Sequence, residues 1–127
     1  MDTKKTILVV DDASLVRLYY RTTLEAAGFQ VVEAMNGLEA LEKLLPAPVD
    51  LLIVDVNMPQ MDGLTFLQAL RKQEHAFARI PALVTSTESA DTDFEASRVA
   101  GANFYLVKPI SQAKLVEFAS MLCGVPR

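Results

Sequence analysis

The chain has 127 residues, 51% of them apolar, and sets 12 Lys and Arg against 16 Asp and Glu for a net charge of -4. That length suits one hydrophobic core rather than two, and the acidic balance gives no global attraction for nucleic acid or an anionic membrane, so direct binding to either is not expected. No apolar run approaches the ~20 residues of a membrane span.

The amino-terminal "MDTKK" has no secretion-signal segment, which predicts a cytoplasmic location. Cys123 is the only cysteine, so an internal disulfide or thiolate cluster is excluded and a structural thiol near a helix end is expected.

In chain order, "TILVV" at 6–10 reads as a buried strand. The first helix follows, with Leu15, Leu18, Tyr19, Thr22 and Ala26 on its inward face, Ser14 as its N-cap and Gly28 as its stop. "QVVEA" at 30–34 is the second strand, and a helix opening near Asn36 carries Leu38, Leu41 and Leu45 until Pro46 ends it. "LLIVD" at 51–55 is the third strand, after which Asp62 caps a helix that turns Leu64, Leu67 and Leu70 inward. "ALVT" at 82–85 precedes a weaker helix from about Asp91 to Ala100, closed by Gly101. "FYLV" at 104–107 leads to a last helix from Ser111 to about Leu122, with Leu115, Phe118, Ala119 and Leu122 on one stripe. This alternation, without repeat or linker, predicts one α/β domain over 1–127, its core at about 5–122, built as a doubly wound parallel five-stranded sheet.

Four of the strands end on polar residues: Asp11 and Asp12, Asp55, Thr85 and Lys108. In an open parallel sheet all strand carboxyl ends lie on one edge, where ligands bind at the reversal of strand order. The second strand ends instead in "EAMNG", which suits the sheet edge and favours the flavodoxin-like order 2-1-3-4-5. Carboxylates gathered there repel, by on the order of 4 kcal/mol for a pair ~4 Å apart at an effective dielectric of about 20. A bound cation removes that cost. With one His and one Cys in the chain, the donors are oxygens, which match Mg²⁺ or Mn²⁺ better than zinc. Lys108 would add a second positive charge on the far side of Asp55. Metal and ammonium flanking one carboxylate form a seat for a dianionic phosphoryl group, with Thr85 as a neutral donor and Asp55 placed as a nucleophile toward phosphorus.

The segments "VVDDASLVR", "EAMNGLEALEKL", "LLIVDVNMPQMDGLTFL", "ALVTS" and "GANFYLVKPI" resemble, in order and interval, the receiver domain of two-component response regulators. The resemblance implies that Asp55 accepts phosphate from a phosphohistidine on a sensor histidine kinase or a histidine phosphotransfer protein. It implies that Asp12 and Asp55, with the backbone carbonyl of Asn57, bind Mg²⁺ directly, while Asp11 acts mainly through metal-bound water. Lys108 would pair with the phosphate, and Pro109 would follow it through a cis peptide. Thr85 would move toward the phosphate and Tyr105 would turn inward, remodelling a face made by the fourth helix, fifth strand and fifth helix for a downstream protein, to which Phe94, Tyr105 and Phe118 contribute. Asn57 and Thr87 would tune phosphate lifetime. The chain stops soon after the fifth helix, at "MLCGVPR", which resembles stand-alone chemotaxis regulators and phosphorelay intermediates, or equally a receiver excised from a longer protein, and is expected as a monomer or a weak phosphorylation-dependent dimer.

A pseudo-receiver that only binds partners is the alternative, although such proteins often lack an acid or the lysine and all are present here. A phosphatase with an aspartyl-phosphate intermediate would carry a second acid two residues after its nucleophile, where this chain has Asn57. A flavin module would need a phosphate-cradling loop after the first strand, and "DDASL" is acidic and glycine-free. The chain is therefore expected to catalyse only its own phosphoryl transfer and dephosphorylation and not to be an enzyme of metabolite turnover. Asp62 and Gly63 read as helix-start chemistry, and His75, in "RKQEHAFAR", as a solvated side chain.

Overall fold

The computed structural model describes residues 4–58, 61–73, 79–88 and 91–125, so His75 lies outside the described residues. Strands β1 (Thr6–Val10), β2 (Gln30–Ala34), β3 (Leu51–Asp55), β4 (Ala82–Ser86) and β5 (Phe104–Val107) alternate with helices α1 (Ser14–Ala26), α2 (Gly37–Leu44), α3 (Gly63–Arg71), α4 (Asp91–Ala100) and α5 (Gln112–Cys123). The five strands form one parallel sheet in the order β2-β1-β3-β4-β5, as expected. The central strands are apolar on both faces because both faces are covered. Leu8, Val10, Leu52, Val54 and Val84 pack under α2, α3 and α4 with Ala40, Leu44, Phe66, Leu67 and Leu70. Ile7, Val9, Leu51, Ile53 and Leu83 pack on the other side with Tyr20 and Leu24 of α1 and Leu115 and Ala119 of α5. Both outer strands are less enclosed, and Phe104 and Val107 of β5 remain about two-fifths exposed.

The inward face of α1 differs from the expected one. Tyr20, Thr23 and Leu24 are buried, whereas Leu15 is 78% exposed, Leu18 55%, and Tyr19, Thr22 and Ala26 also face outward. The two stripes have the same period and differ by about one residue, or roughly 100° of rotation. Polar anchors choose between them. Arg17 and Arg21, one turn apart, both reach Glu33 on β2, at 2.9 and 2.8 Å, and this turns Val16, Tyr20 and Leu24 onto the sheet. Ser14 is not the N-cap. Ala13 holds that position without a side-chain cap, and its N–H donates to the Asp11 side chain at 2.9 Å.

In α2 the inward residues are Gly37, Ala40 and Leu44, with Leu41 half-buried, while Leu38 and Leu45 point to solvent. Here the cap sets the phase: Asn36 accepts from Glu39 N–H at 2.9 Å and Glu39 accepts from Met35 N–H at 2.8 Å. Asp62 caps α3 as expected, accepting from Thr65 N–H at 2.9 Å, and Leu67 and Leu70 are buried with Leu64 half-buried. Strand β4 runs one residue further than its sequence suggested, to Ser86. At the opposite end of α3, Arg71 donates to Ile80 O at 2.7 Å and to Gly101 O at 2.9 and 3.1 Å, joining three separate segments. Ser111 caps α5, whose buried residues Leu115, Ala119 and Ser120 are flanked by half-buried Phe118 and Leu122. Cys123 ends the helix, half-buried as a free thiol. Among the described residues, no helix is long and apolar enough to cross a membrane.

Candidate functional site

Four strand ends meet at the carboxyl edge of the sheet. Asp11 leaves β1 buried to 1% exposure, its N–H donating to Ala34 O at 3.1 Å and its Oδ1 fixed by Ala13. Asp12 follows it into solvent. Asp55 ends β3 at 6% exposure, in register with the fully buried Thr85 on β4. One carboxylate oxygen from each of Asp11, Asp12 and Asp55 lies within 4.8 Å of the other two.

Lys108 enters from β5 and lies between two of these acids rather than beyond Asp55. Its Nζ is 2.8 Å from Asp11 Oδ2 and 3.3 Å from Asp55 Oδ1. The correction has a simple origin: Asp11 is nearly as buried as Asp55 and needs compensation of its own. Burial raises the Asp55 pKa above the ordinary carboxylate range and the Asp11 charge adds to this, against the opposing pull of Lys108 and a hydrogen bond from Asn57 N–H. Burial acts against the Lys108 cation, but the hydrogen bond and charge of Asp11, with Asp55 behind it, prevail and its pKa is raised. One ammonium against three carboxylates leaves two negative charges in an all-oxygen cluster. That donor set fits a hard divalent cation.

The structure brings Asp11, Asp12, Asp55, Thr85 and Lys108 together, and Asn57 joins them through its backbone. Thr85 Oγ1 donates to Val54 O at 3.5 Å. Thr87 is exposed and borders, with Lys108 and Pro109, a cavity of about 360 Å³. The peptide between Lys108 and Pro109 is cis, as the resemblance implied. Tyr105 stands apart from the carboxylates: its hydroxyl donates to Glu88 O at 2.8 Å and its ring meets Phe94 edge-on, centroids 4.6 Å apart. Gly63 serves the site as well as the helix start. A Cβ there would lie 2.2 Å from Asp55 O, so the turn into α3 packs directly on the Asp55 backbone.

Two residues of the site were missed in the sequence. Arg17 donates to Asp11 O at 2.6 Å while paired with Glu33, bracing the main chain that carries both β1 acids. Its spacing from Glu33 gives no local signal. Tyr20, buried to 2% exposure, reaches the site from α1, where Lys108, Asp11 and Asp55 all act on its hydroxyl and burial pushes its pKa up to about 12. The signal for Tyr20 was the alternative helical stripe through Val16 and Leu24.

A parallel α/β sheet with an acidic cluster and a lysine at its carboxyl edge defines a protein that can seat a divalent cation and a small dianion on one carboxylate. This chain belongs to the response regulator receiver domain family, whose model matches residues 7–120. It is 38% identical over 120 residues to the chemotaxis protein CheY1 of Helicobacter pylori strain J99, covering 93% of this chain and 96% of the relative. The structure of chemotaxis protein CheY4 from Vibrio cholerae is similar with a TM-score of 0.89 and 34% identity, over 94% of this chain and 99% of that one. The receiver domain of sensor histidine kinase PA1611 from Pseudomonas aeruginosa PAO1, which has a magnesium ion coordinated in its active site cleft, matches with a TM-score of 0.87 and 25% identity, over 96% and 95% of the two chains.

Proposed function

We propose that Asp55 accepts a phosphoryl group from a phosphohistidine on a sensor histidine kinase or a histidine phosphotransfer protein, and that the modified chain changes its affinity for another protein. The observation that carries this reading is the single cluster of Asp11, Asp12, Asp55 and Lys108. Asp11, Asp12 and Asp55, with the backbone carbonyl of Asn57, would hold Mg²⁺ or Mn²⁺, which supplies positive charge for the phosphoryl oxygens. An Asp55 oxygen attacks phosphorus, the phosphorus–nitrogen bond breaks, and its electron pair returns to the donor imidazole. Lys108, already 3.3 Å from Asp55, turns its ammonium to the transferred group. Thr85, beside Asp55 in the sheet register, donates its hydroxyl to a phosphoryl oxygen. Hydrolysis of the acyl phosphate by water restores the carboxylate, with Asn57 and Thr87 at the exposed rim setting its rate.

The output is a population shift and not metabolite turnover. Its support lies on α4, β5 and α5, where Phe94, Phe104, Val107 and Met121 are partly exposed and Tyr105 links Phe94 to the segment after β4. The test is incubation with Mg²⁺ and acetyl phosphate, followed by intact mass, beside Asp55→Asn. One base-labile phosphate that requires Asp55 supports the reading. No phosphate from either the small donor or a phosphohistidine protein, despite Mg²⁺ binding, would leave a partner-binding module.

A further inference from the structure

The order β2-β1-β3-β4-β5 leaves β2 at an edge of the sheet, paired on one side only. On that inner side Gln30 N–H donates to Lys5 O at 2.9 Å and Ala34 O accepts from Asp11 N–H at 3.1 Å. Backbone groups alternate sides along a strand, so Val31 and Glu33 direct theirs outward. The strand is five residues long, "QVVEA", with two adjacent β-branched valines that suit it to pairing. An edge of this kind is a template for a further strand.

Both outward carbonyls are taken. Arg21 reaches them from α1, donating through Nη2 to Val31 O at 3.0 Å while its Nε pairs with the Glu33 carboxylate at 2.8 Å. Lys43 comes from α2 and donates through Nζ to Glu33 O. Because α1 and α2 cover opposite faces of the sheet, the edge is gripped from both sides. An incoming strand would draw its hydrogen bonds from the same two carbonyls, displacing two cations into the new contact. A second copy meeting β2 about a two-fold axis would bring its own Arg21 and Lys43 to that contact, doubling the positive charge there. The Glu33 carboxylate does little to offset it, since Arg17 and Arg21 already share it. We infer that Arg21 and Lys43 guard the β2 edge, occupying the Val31 and Glu33 carbonyls so that a second copy of this chain does not extend the sheet. This guard role does not depend on the reading of Asp55.

The test follows the Val31 and Glu33 amides by hydrogen exchange and NMR at low and at high protein concentration, with sedimentation velocity alongside. It compares wild type, Lys43→Met, Lys43→Arg and the double variant Arg21→Met with Lys43→Met. Arg17 still holds Glu33 in all of them, and urea unfolding checks that each protein is folded. In the double variant the two amides should exchange roughly tenfold more slowly at high than at low concentration, as a dimer forms. Lys43→Met, changed at an exposed position, should show a smaller slowing of the same amides and carries the test if the double variant does not fold. Wild type and Lys43→Arg, which keeps a donor, should show none. Exchange independent of concentration in the Met variants overturns the guard role. Association that leaves these two amides unprotected, or a wild type that pairs through β2 as readily as the double variant, overturns it equally.

Discussion

Lys108 is held more closely by Asp11 than by Asp55, at 2.8 Å against 3.3 Å. The lysine thus compensates the first strand's acid before any ligand arrives. Lys108→Met should lower the melting temperature of the metal-free protein by roughly 3–8 °C, since two buried carboxylates lose their counter-charge. Saturating Mg²⁺ should recover most of that loss. A deficit that Mg²⁺ leaves unchanged in a thermal melt would assign the lysine to packing instead.

Asp55 presents the opposite case. Burial and the neighbouring Asp11 raise its pKa, so folding favours its protonated form. The sign follows: its contribution to stability is complete below the ordinary carboxylate range and is lost as pH rises through the raised value. Asparagine imitates the protonated state. Asp55→Asn should therefore melt roughly 2–5 °C above wild type at neutral pH without metal, while gaining less from Mg²⁺ than wild type does. Scanning calorimetry with and without Mg²⁺ reads both effects, and a lower melting point in the metal-free variant would contradict them.

Arg17 braces the Asp11 carbonyl and is itself held by Glu33. Supports of this kind set ligand geometry, and removing one typically costs on the order of tenfold in metal affinity. Arg17→Ala should weaken Mg²⁺ binding by about that factor, measured by titration calorimetry, and Glu33→Gln should show a smaller loss in the same direction. Unchanged affinity in both would confine the pair to fixing the rotation of α1.

Gly63 has no room for a side chain against Asp55 O. Because the obstructing atom is backbone, the turn must move, and Gly63→Ala should cost roughly 2–4 kcal/mol in urea unfolding. An unfolding midpoint equal to that of wild type would show that the turn yields freely.

Burial raises the Cys123 thiol from 9.0 to about 11, with Asp50 adding to the effect. At pH 8 its thiolate population is then about one hundredth that of a thiol at the ordinary value. Alkylation by iodoacetamide should be slower by about that factor and should speed up when the protein is unfolded in urea. The stability this thiol contributes is complete below pH 9 and declines as pH rises toward its folded value.

The strand ends were legible in the sequence because each joins a short apolar run to a polar residue, and a parallel sheet brings such ends together whatever the helices do. That placed Asp11, Asp12, Asp55, Thr85 and Lys108 at one edge. Helix phase was less legible. Leu15, Leu18 and Tyr19 are as periodic as Val16, Tyr20 and Leu24, and the choice between them is made by Arg17 and Arg21 reaching Glu33 on another element. Such a contact has no local signature. Tyr20 was missed for the same reason, and the position of Lys108 was misjudged because Asp11 was expected to act mainly through metal-bound water, which left out how its own buried charge is balanced.

Arg71 fastens the end of α4, through Gly101 O, to α3 and to Ile80 ahead of β4. Moored there, α4 has its fulcrum at the Ala100 end, so any tilt of the helix would grow in amplitude with distance from the mooring. Phe94, seated on the Tyr105 ring, would then travel further than Ala100.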